Sequence, residues 1–346
     1  MLELFHSPTA GPFGRRLKRE RGGRIPVMVV TGFLGAGKTT LMRHFLSLPE
    51  GAGTAVIVNE FGEARIDDVL LRHSSDNIAL IGNGCLCCTV RSDLQMTLRR
   101  LVADRDQGIV PYFGRVVIET SGLADPSPIL TTFATDRALG GEFHVEAVVA
   151  VVAADNGAAT IADFAEARRQ IILADRIVIA KTDIAGEDAP VVLRRTLREL
   201  NPRAHIIEAV FSRLDPQWIL AEGTSAFSTG FITESATHTD DIASFTLIEE
   251  EPVVWSAFAR AMEALMALRG DDLLRVKGFL NVAGCRGPVV VQFVRHLAHP
   301  PVELERWPGH DRRSRVVFIT RNLSEPQVKT LFGAMRALAK DGPRGQ

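Results

Sequence analysis

Gly32-Phe33-Leu34-Gly35-Ala36-Gly37-Lys38-Thr39-Thr40 is the stretch whose reading decides the fold. It follows an apolar run, Pro26 to Thr31, and opens a stretch of helical period, Thr39 to Ser47. A G-x-x-x-x-G-K-[ST] pattern between a strand and a helix is a phosphate-binding loop. Gly32, Gly35 and Gly37 let the backbone wrap closely, so that the N–H groups of the loop, through Ala36 and Thr40, and the helix N-terminus point at phosphates. Lys38 is then expected to bridge the β- and γ-phosphates, and Thr39 to give its hydroxyl to a magnesium ion. A bare glycine-rich turn would not require the Lys38-Thr39 pair.

Outward from this loop, short apolar runs alternate with helical stretches from Ile25 to Leu220, the pattern of a parallel sheet covered on both faces. Strands are expected at Pro26 to Thr31, Thr54 to Asn59, Ile78 to Ile81, Arg115 to Thr120, Val145 to Ala153, Arg176 to Lys181 and His205 to Glu208. Helices are expected at Thr39 to Ser47, Asp93 to Ala103, Ile161 to Leu173 and Val191 to Leu200. Glu222 to Asp241 is small and polar, as a linker is. Beyond it come strands at Ser244 to Ile248, Leu274 to Val282, Val289 to His296 and Arg315 to Thr320, and helices at Val253 to Leu268 and Ser324 to Ala339. The fold class is α/β: a P-loop NTPase domain with a mostly parallel sheet over 25–222, a linker over 223–243, and a smaller α+β domain over 244–346. Residues 1–24 read as a disordered basic leader, with Arg15, Arg16, Lys18, Arg19 and Arg21 clustered in it.

The chain has 346 residues, enough for two cores. Its net charge of -1 provides no field for nucleic acid or an acidic membrane, and no apolar run is long enough to span a bilayer. Of four cysteines, Cys85, Cys87 and Cys88 are crowded together, a poor layout for disulfides. Reduced thiols in the cytoplasm, acting as metal ligands or redox groups, are the expectation.

Val116-Val117-Ile118-Glu119-Thr120-Ser121-Gly122 ends an apolar run in a carboxylate at the sheet edge where ligands gather. Glu119 is expected to hold a magnesium-bound water or orient the attacking water, and the Gly122 N–H to sense the γ-phosphate. Ile177-Val178-Ile179-Ala180-Lys181-Thr182-Asp183 resembles the N-K-x-D base-reading loop with Ala180 in the Asn position. Asp183 accepts from the guanine ring N–H and amino group, the Lys181 stem covers the base, and the missing amide predicts weaker nucleotide affinity with guanine preference kept.

Asn59-Glu60-Phe61-Gly62 and Gly82-Asn83-Gly84-Cys85-Leu86-Cys87-Cys88 lie between the second expected strand and the Glu119 strand. Three thiolates bind zinc at about 2.3 Å and leave a fourth tetrahedral position for Glu60, a histidine or water. Such an open shell suits an ion that must leave. A Cys87–Cys88 redox pair and inert buried thiols are the other readings of these residues.

The order of these motifs, G-F-L-G-A-G-K-T-T, N-E-F-G, G-C-L-C-C, E-T-S-G-L-A-D-P and K-T-D, resembles the CobW-type GTPases, relatives of the HypB and UreG metallochaperones. The resemblance spans about residues 25 to 335 and takes in Arg275-Val276-Lys277-Gly278-Phe279, Val291-Gln292, Trp307 and Arg315-Val316-Val317-Phe318-Ile319. It implies slow GTP hydrolysis with Mg2+, zinc or cobalt at the C-x-C-C cysteines, and delivery of metal to a client protein. It also implies that Asp67 or Asp68 is the switch carboxylate near magnesium. A dimer is compatible with it. Ala180 departs from the pattern, as does the absence of a histidine-rich tract; His296, His299 and His310 are scattered. A small-molecule kinase and a nucleotide-regulated metal or redox module are the rival functions.

Overall fold

The computed structural model describes residues 24–59, 79–82, 90–202, 204–210, 214–215, 218, 236–237, 242–294, 297–304, 306–307 and 310–340. The leader up to residue 23, Glu60, Asp67, Asp68, Cys85, Cys87, Cys88 and most of the expected linker lie outside these residues. The chain divides into two compact units, one of Ile25–Phe231 and one built from Ile232 onward.

The first unit is a seven-stranded sheet. Its strands are β1 (Ile25–Thr31), β2 (Thr54–Asn59), β3 (Ala79–Gly82), β4 (Arg115–Thr120), β5 (Phe143–Ala153), β6 (Arg176–Ala180) and β7 (His205–Glu208). They are ordered β3-β2-β4-β1-β5-β6-β7, and every pairing is parallel. Alternate residues of a strand point to opposite faces. Val149 and Val151 therefore join Met28, Val30 and Val178 in a core under α1 (Lys38–Ser47). Ala150 and Val152 join Ile177 and Ile179 on the other face. Phe45 of α1 is 1% exposed, and burial of such a side chain is worth roughly 1.5–3 kcal/mol.

Two short helices were not expected: α3 (Ser127–Thr135) and α4 (Arg137–Glu142), which follow α2 (Val90–Asp106). Their threonines and glycines are weak helix formers, so caps and burial carry them. Asp125 Oδ1 accepts from the Ser127 N–H at 2.8 Å and its hydroxyl at 2.6 Å. Asp136 Oδ1 accepts from the N–H groups of Ala138 and Leu139.

The single helix expected over Ile161 to Leu173 is instead two, α5 (Gly157–Asp163) and α6 (Ala165–Ile172). Phe164, extended at φ -118° and ψ 119°, breaks them. Its ring packs at a tilt against Phe33, with centroids 4.6 Å apart, and Arg168 Nη1 donates to the Ile161 and Ala162 carbonyls that close α5. A further helix, α7 (Ala189–Leu200), precedes β7.

The second unit is antiparallel. Strands β8 (Ala236–Thr237), β9 (Ile242–Glu249), β10 (Leu273–Leu280), β11 (Val289–Val294), β12 (Leu297–Ala298) and β14 (Ser314–Arg321) run in the order β12-β11-β10-β14-β9-β8, and β13 (Val302–Glu303) pairs with β11. Helices α8 (Trp255–Arg269) and α9 (Glu325–Lys340) pack with one face around Phe245, Phe258, Met262, Phe293 and Phe318. Phe245 and Phe318 stack with centroids 5.4 Å apart. Elsewhere in this unit, burial first, then the charges of Arg275, Arg24 and Lys277, push the His299 imidazole down to about 3. Among the described residues no helix is long and apolar enough to cross a membrane.

Candidate functional site

The sheet order puts β2, β3 and β4 on one side of β1 and β5, β6 and β7 on the other. The carboxyl end of β1 is therefore the point where chain connections diverge, and open α/β sheets bind ligands there. Gly32 to Lys38 leave β1 at this point. Gly32 has φ 143°, and a Cβ on it would stand 2.2 Å from the Val151 carbonyl oxygen, so only glycine lets the loop leave between β1 and β5. Gly35 and Gly37 have φ 70° and 100°, and nothing lies within 4 Å of a Cβ on Gly35. The outer side of the loop is thus an open backbone cradle with the α1 N-terminus at its base. Ala36 is buried beneath it, and Thr40 lies exposed on the first turn of α1.

Lys38 Nζ donates to the Gly32 and Phe33 carbonyls at 2.9 and 3.1 Å, closing the loop on itself. Thr39 Oγ1 donates to Glu119 Oε1 at 2.7 Å, across 80 residues of chain. Glu119 is 1% exposed near the end of β4. A hydroxyl and a carboxylate converging beside a phosphate cradle are the hard oxygen donors that Mg2+ prefers, so the residues fit that ion.

The turn after β4 touches the P-loop directly. A Cβ on Gly122 would stand 2.7 Å from Leu34 N and 2.8 Å from Leu34 Cα. Gly122 is therefore where the two loops come together.

The third loop follows β6, which ends at Ala180, one residue before the expected end. Lys181 takes φ 61°, and this left-handed turn starts the loop that carries Asp183. Thr182 Oγ1 donates to the Ala209 carbonyl at 3.2 Å, leaving Asp183 exposed. Lys181 Nζ lies 3.9 Å from Asp155 Oδ2, an acidic neighbour the sequence did not single out. Ala180 is 1% exposed in the core with Ala36 and Ala209, and a Cβ on Gly37 would lie 3.7 Å from its Cβ. The position where related loops carry Asn thus faces the P-loop. Gly32, Gly35, Ala36, Gly37, Lys38, Thr39, Thr40, Glu119, Gly122, Lys181 and Asp183 share the carboxyl edge of one sheet. Gln170, which donates to Gly122 O and Ala124 O, was missed, because a glutamine inside a helix has no sequence signal.

Known proteins point the same way. The family described as the CobW/HypB/UreG nucleotide-binding domain matches residues 26–208, and the cobalamin synthesis protein cobW C-terminal domain matches residues 242–336. The chain is 34% identical over 324 residues to the zinc chaperone YjiA of Escherichia coli, covering 90% of this chain and 99% of that protein. It is 31% identical over 352 residues to the zinc chaperone CobW of Pseudomonas aeruginosa, covering 88% and 90%. The crystal structure of Zn(II)-bound YjiA GTPase from E. coli superposes with a TM-score of 0.64 at 31% identity, over 90% of this chain and 99% of that one. With a P-loop, an acidic strand end and a Lys181-Thr182-Asp183 loop on one sheet edge, and with both domains matched, the chain belongs to the CobW/HypB/UreG family.

Proposed function

We propose that this chain is a cytoplasmic GTPase that couples GTP binding and hydrolysis to holding a transition-metal ion, zinc or cobalt, and handing it to a client protein. The observation that carries the GTPase part is the Thr39 to Glu119 hydrogen bond beside a glycine cradle that Gly122 also touches.

The loop N–H groups from Gly32 to Thr40 bind the β- and γ-phosphates, and Lys38 turns from its own loop carbonyls to them. Thr39 and Glu119, with Asp67 or Asp68, hold Mg2+. Bound there, the ion neutralises charge developing on the phosphate oxygens. Glu119 orients water for attack on the γ-phosphate, and the Gly122 N–H reports whether that phosphate is present. Asp183 selects guanine and Lys181 covers the base. Cys85, Cys87 and Cys88, with Glu60, bind the metal cargo. They lie in the segment between β2 and α2, tied through the chain to elements that respond to the γ-phosphate.

The relatives' names, zinc chaperone and GTPase, support this reading over a small-molecule kinase. The test is release of inorganic phosphate from GTP with magnesium, with Lys38→Ala beside the wild type. The expected result is slow release that the variant abolishes. An unchanged rate in Lys38→Ala, or a phosphorylated small molecule as product, would overturn the reading.

A further inference from the structure

We infer that Gln170 is the positioning residue for the turn that senses the γ-phosphate, and thereby sets how strongly the site tells GTP from GDP, a role that rests on the GTPase reading above. Gln170 is 1% exposed in α6. Its side-chain amide donates to the Gly122 carbonyl at 3.1 Å and the Ala124 carbonyl at 3.0 Å. Those two carbonyls belong to one turn, closed by the Ala124 N–H donating to the Ser121 carbonyl at 3.0 Å. A primary amide has two N–H groups, and Gln170 fixes both carbonyls of the turn with them.

The turn is thus held from two sides. On one, Gly122 lies against the Leu34 backbone, too close for a Cβ. On the other, the buried amide of α6 holds its carbonyls. Phe164, the residue just before α6, packs its ring at a tilt against Phe33 of the P-loop, and Gln170 borders the small cavity under Phe33. α6 and the residue that leads into it therefore bridge the phosphate cradle and the turn opposite it. A sensing N–H held in place before the ligand arrives needs no ordering when the ligand binds. Only a nucleotide with a γ-phosphate gains from that, because GDP has nothing to present to Gly122.

The test measures affinities for GDP and a non-hydrolysable GTP analogue, and kcat for GTP, in wild type and Gln170→Met. Methionine keeps the volume and loses both donors. The expected result is GDP affinity within about twofold of wild type, with analogue affinity and kcat each lower by about tenfold, as loss of hydrogen bonds to buried carbonyls implies. Ile171→Val, which trims the buried face of the same helix without touching the amide, is expected to leave the GTP-to-GDP ratio unchanged. Should Gln170→Met not fold, Gln170→Asn decides: its shorter amide cannot reach both carbonyls, and the ratio should fall. A merely structural Gln170 would lower the melting midpoint and shift both nucleotides by the same factor, which overturns the inference. A wild type that hydrolyses GTP with an unchanged ratio in these variants overturns this inference alone. A wild type that neither binds nor hydrolyses GTP overturns the GTPase reading and this inference with it.

Discussion

The Thr39 hydroxyl donates to the Glu119 carboxylate at 2.7 Å, joining the first turn of α1 to the end of β4. In the proposed mechanism, the bond holds Glu119 where it would orient a magnesium-bound or attacking water. Glu119→Gln keeps the shape and accepts the same hydrogen bond but loses the charge. It is expected to keep nucleotide binding and to lower kcat by about 10²–10⁴-fold, the usual worth of a positioned proton-handling group. Single-turnover phosphate release across a magnesium titration checks this, and an unchanged rate would remove Glu119 from the mechanism.

A methyl group at Gly122 has no room. Its Cβ would meet Leu34 Cδ2 at 2.6 Å, which can swing away, but also Leu34 N at 2.7 Å, which cannot. Gly122→Ala must therefore push the turn off the P-loop, with an overpacking cost of about 1–3 kcal/mol. Expected are a lower melting midpoint and loss of GTP hydrolysis. A variant with native stability and native turnover would show that the turn and the P-loop need not touch.

Much of this site was legible in the sequence because its parts are local: glycine spacing, a Lys-Thr pair, a carboxylate ending an apolar run. The parallel strands were legible because burial on both faces leaves continuous apolar runs, as in Val145 to Ala153. What escaped depends on distant contacts. Phe164 sits where the helical pattern breaks, with its ring tilted against Phe33. The helix starting at Ser127 depends on the Asp125 cap and on burial, against the propensity of its threonines. Gln170 reads as an ordinary surface glutamine until the fold brings Gly122 beneath it.

In the proposed mechanism, base selection rests on Asp183. Guanine offers two donors to a carboxylate, and adenine offers neither in that arrangement. Asp183→Asn puts a donor where the ring N–H also donates. Each charge-assisted bond is worth roughly 1.5–3 kcal/mol, so preference for GTP over ATP is expected to fall tenfold or more. Competition titration of the two nucleotides reads it, and a wild type that binds both equally would refute the assignment.

Acid should loosen the first unit at His205. The Trp218 indole N–H donates to His205 Nδ1 at 2.5 Å, which requires a neutral ring. Burial first, then the charges of Arg176 and Arg198, lower the His205 pKa. The folded chain therefore binds this proton less readily than the unfolded chain. The stability so gained is present above the ordinary histidine value of about 6.5, and is lost as pH falls through that value toward the lowered one. Melting midpoints at pH 7 and pH 5 are expected to differ more in wild type than in His205→Gln. The difference should be small, since His205 is only partly buried. Equal drops in both proteins would rule out His205 as the group.

Metal and nucleotide should report on each other. Cys85, Cys87 and Cys88 belong to the segment that leads into α2, and α2 leads to β4 with Glu119 and Gly122 beyond its middle. In the proposed mechanism, an arrangement set by the γ-phosphate at Gly122 would thus be tied through the chain to the thiolates. If GTP and metal favour the same arrangement, each raises the other's affinity by one common factor, typically 5–150-fold in coupled systems. Hydrolysis then weakens the hold on the ion, and a three-thiolate shell can pass it to an acceptor's thiolate or imidazole as one ligand lets go. Zinc titrated into the nucleotide-free, GDP and GTP-analogue forms should bind most tightly to the last, and Cys87→Ser should weaken binding in all three. The same three affinities without nucleotide dependence would leave a GTPase and a metal site that do not communicate, and would end the metallochaperone mechanism while sparing both sites.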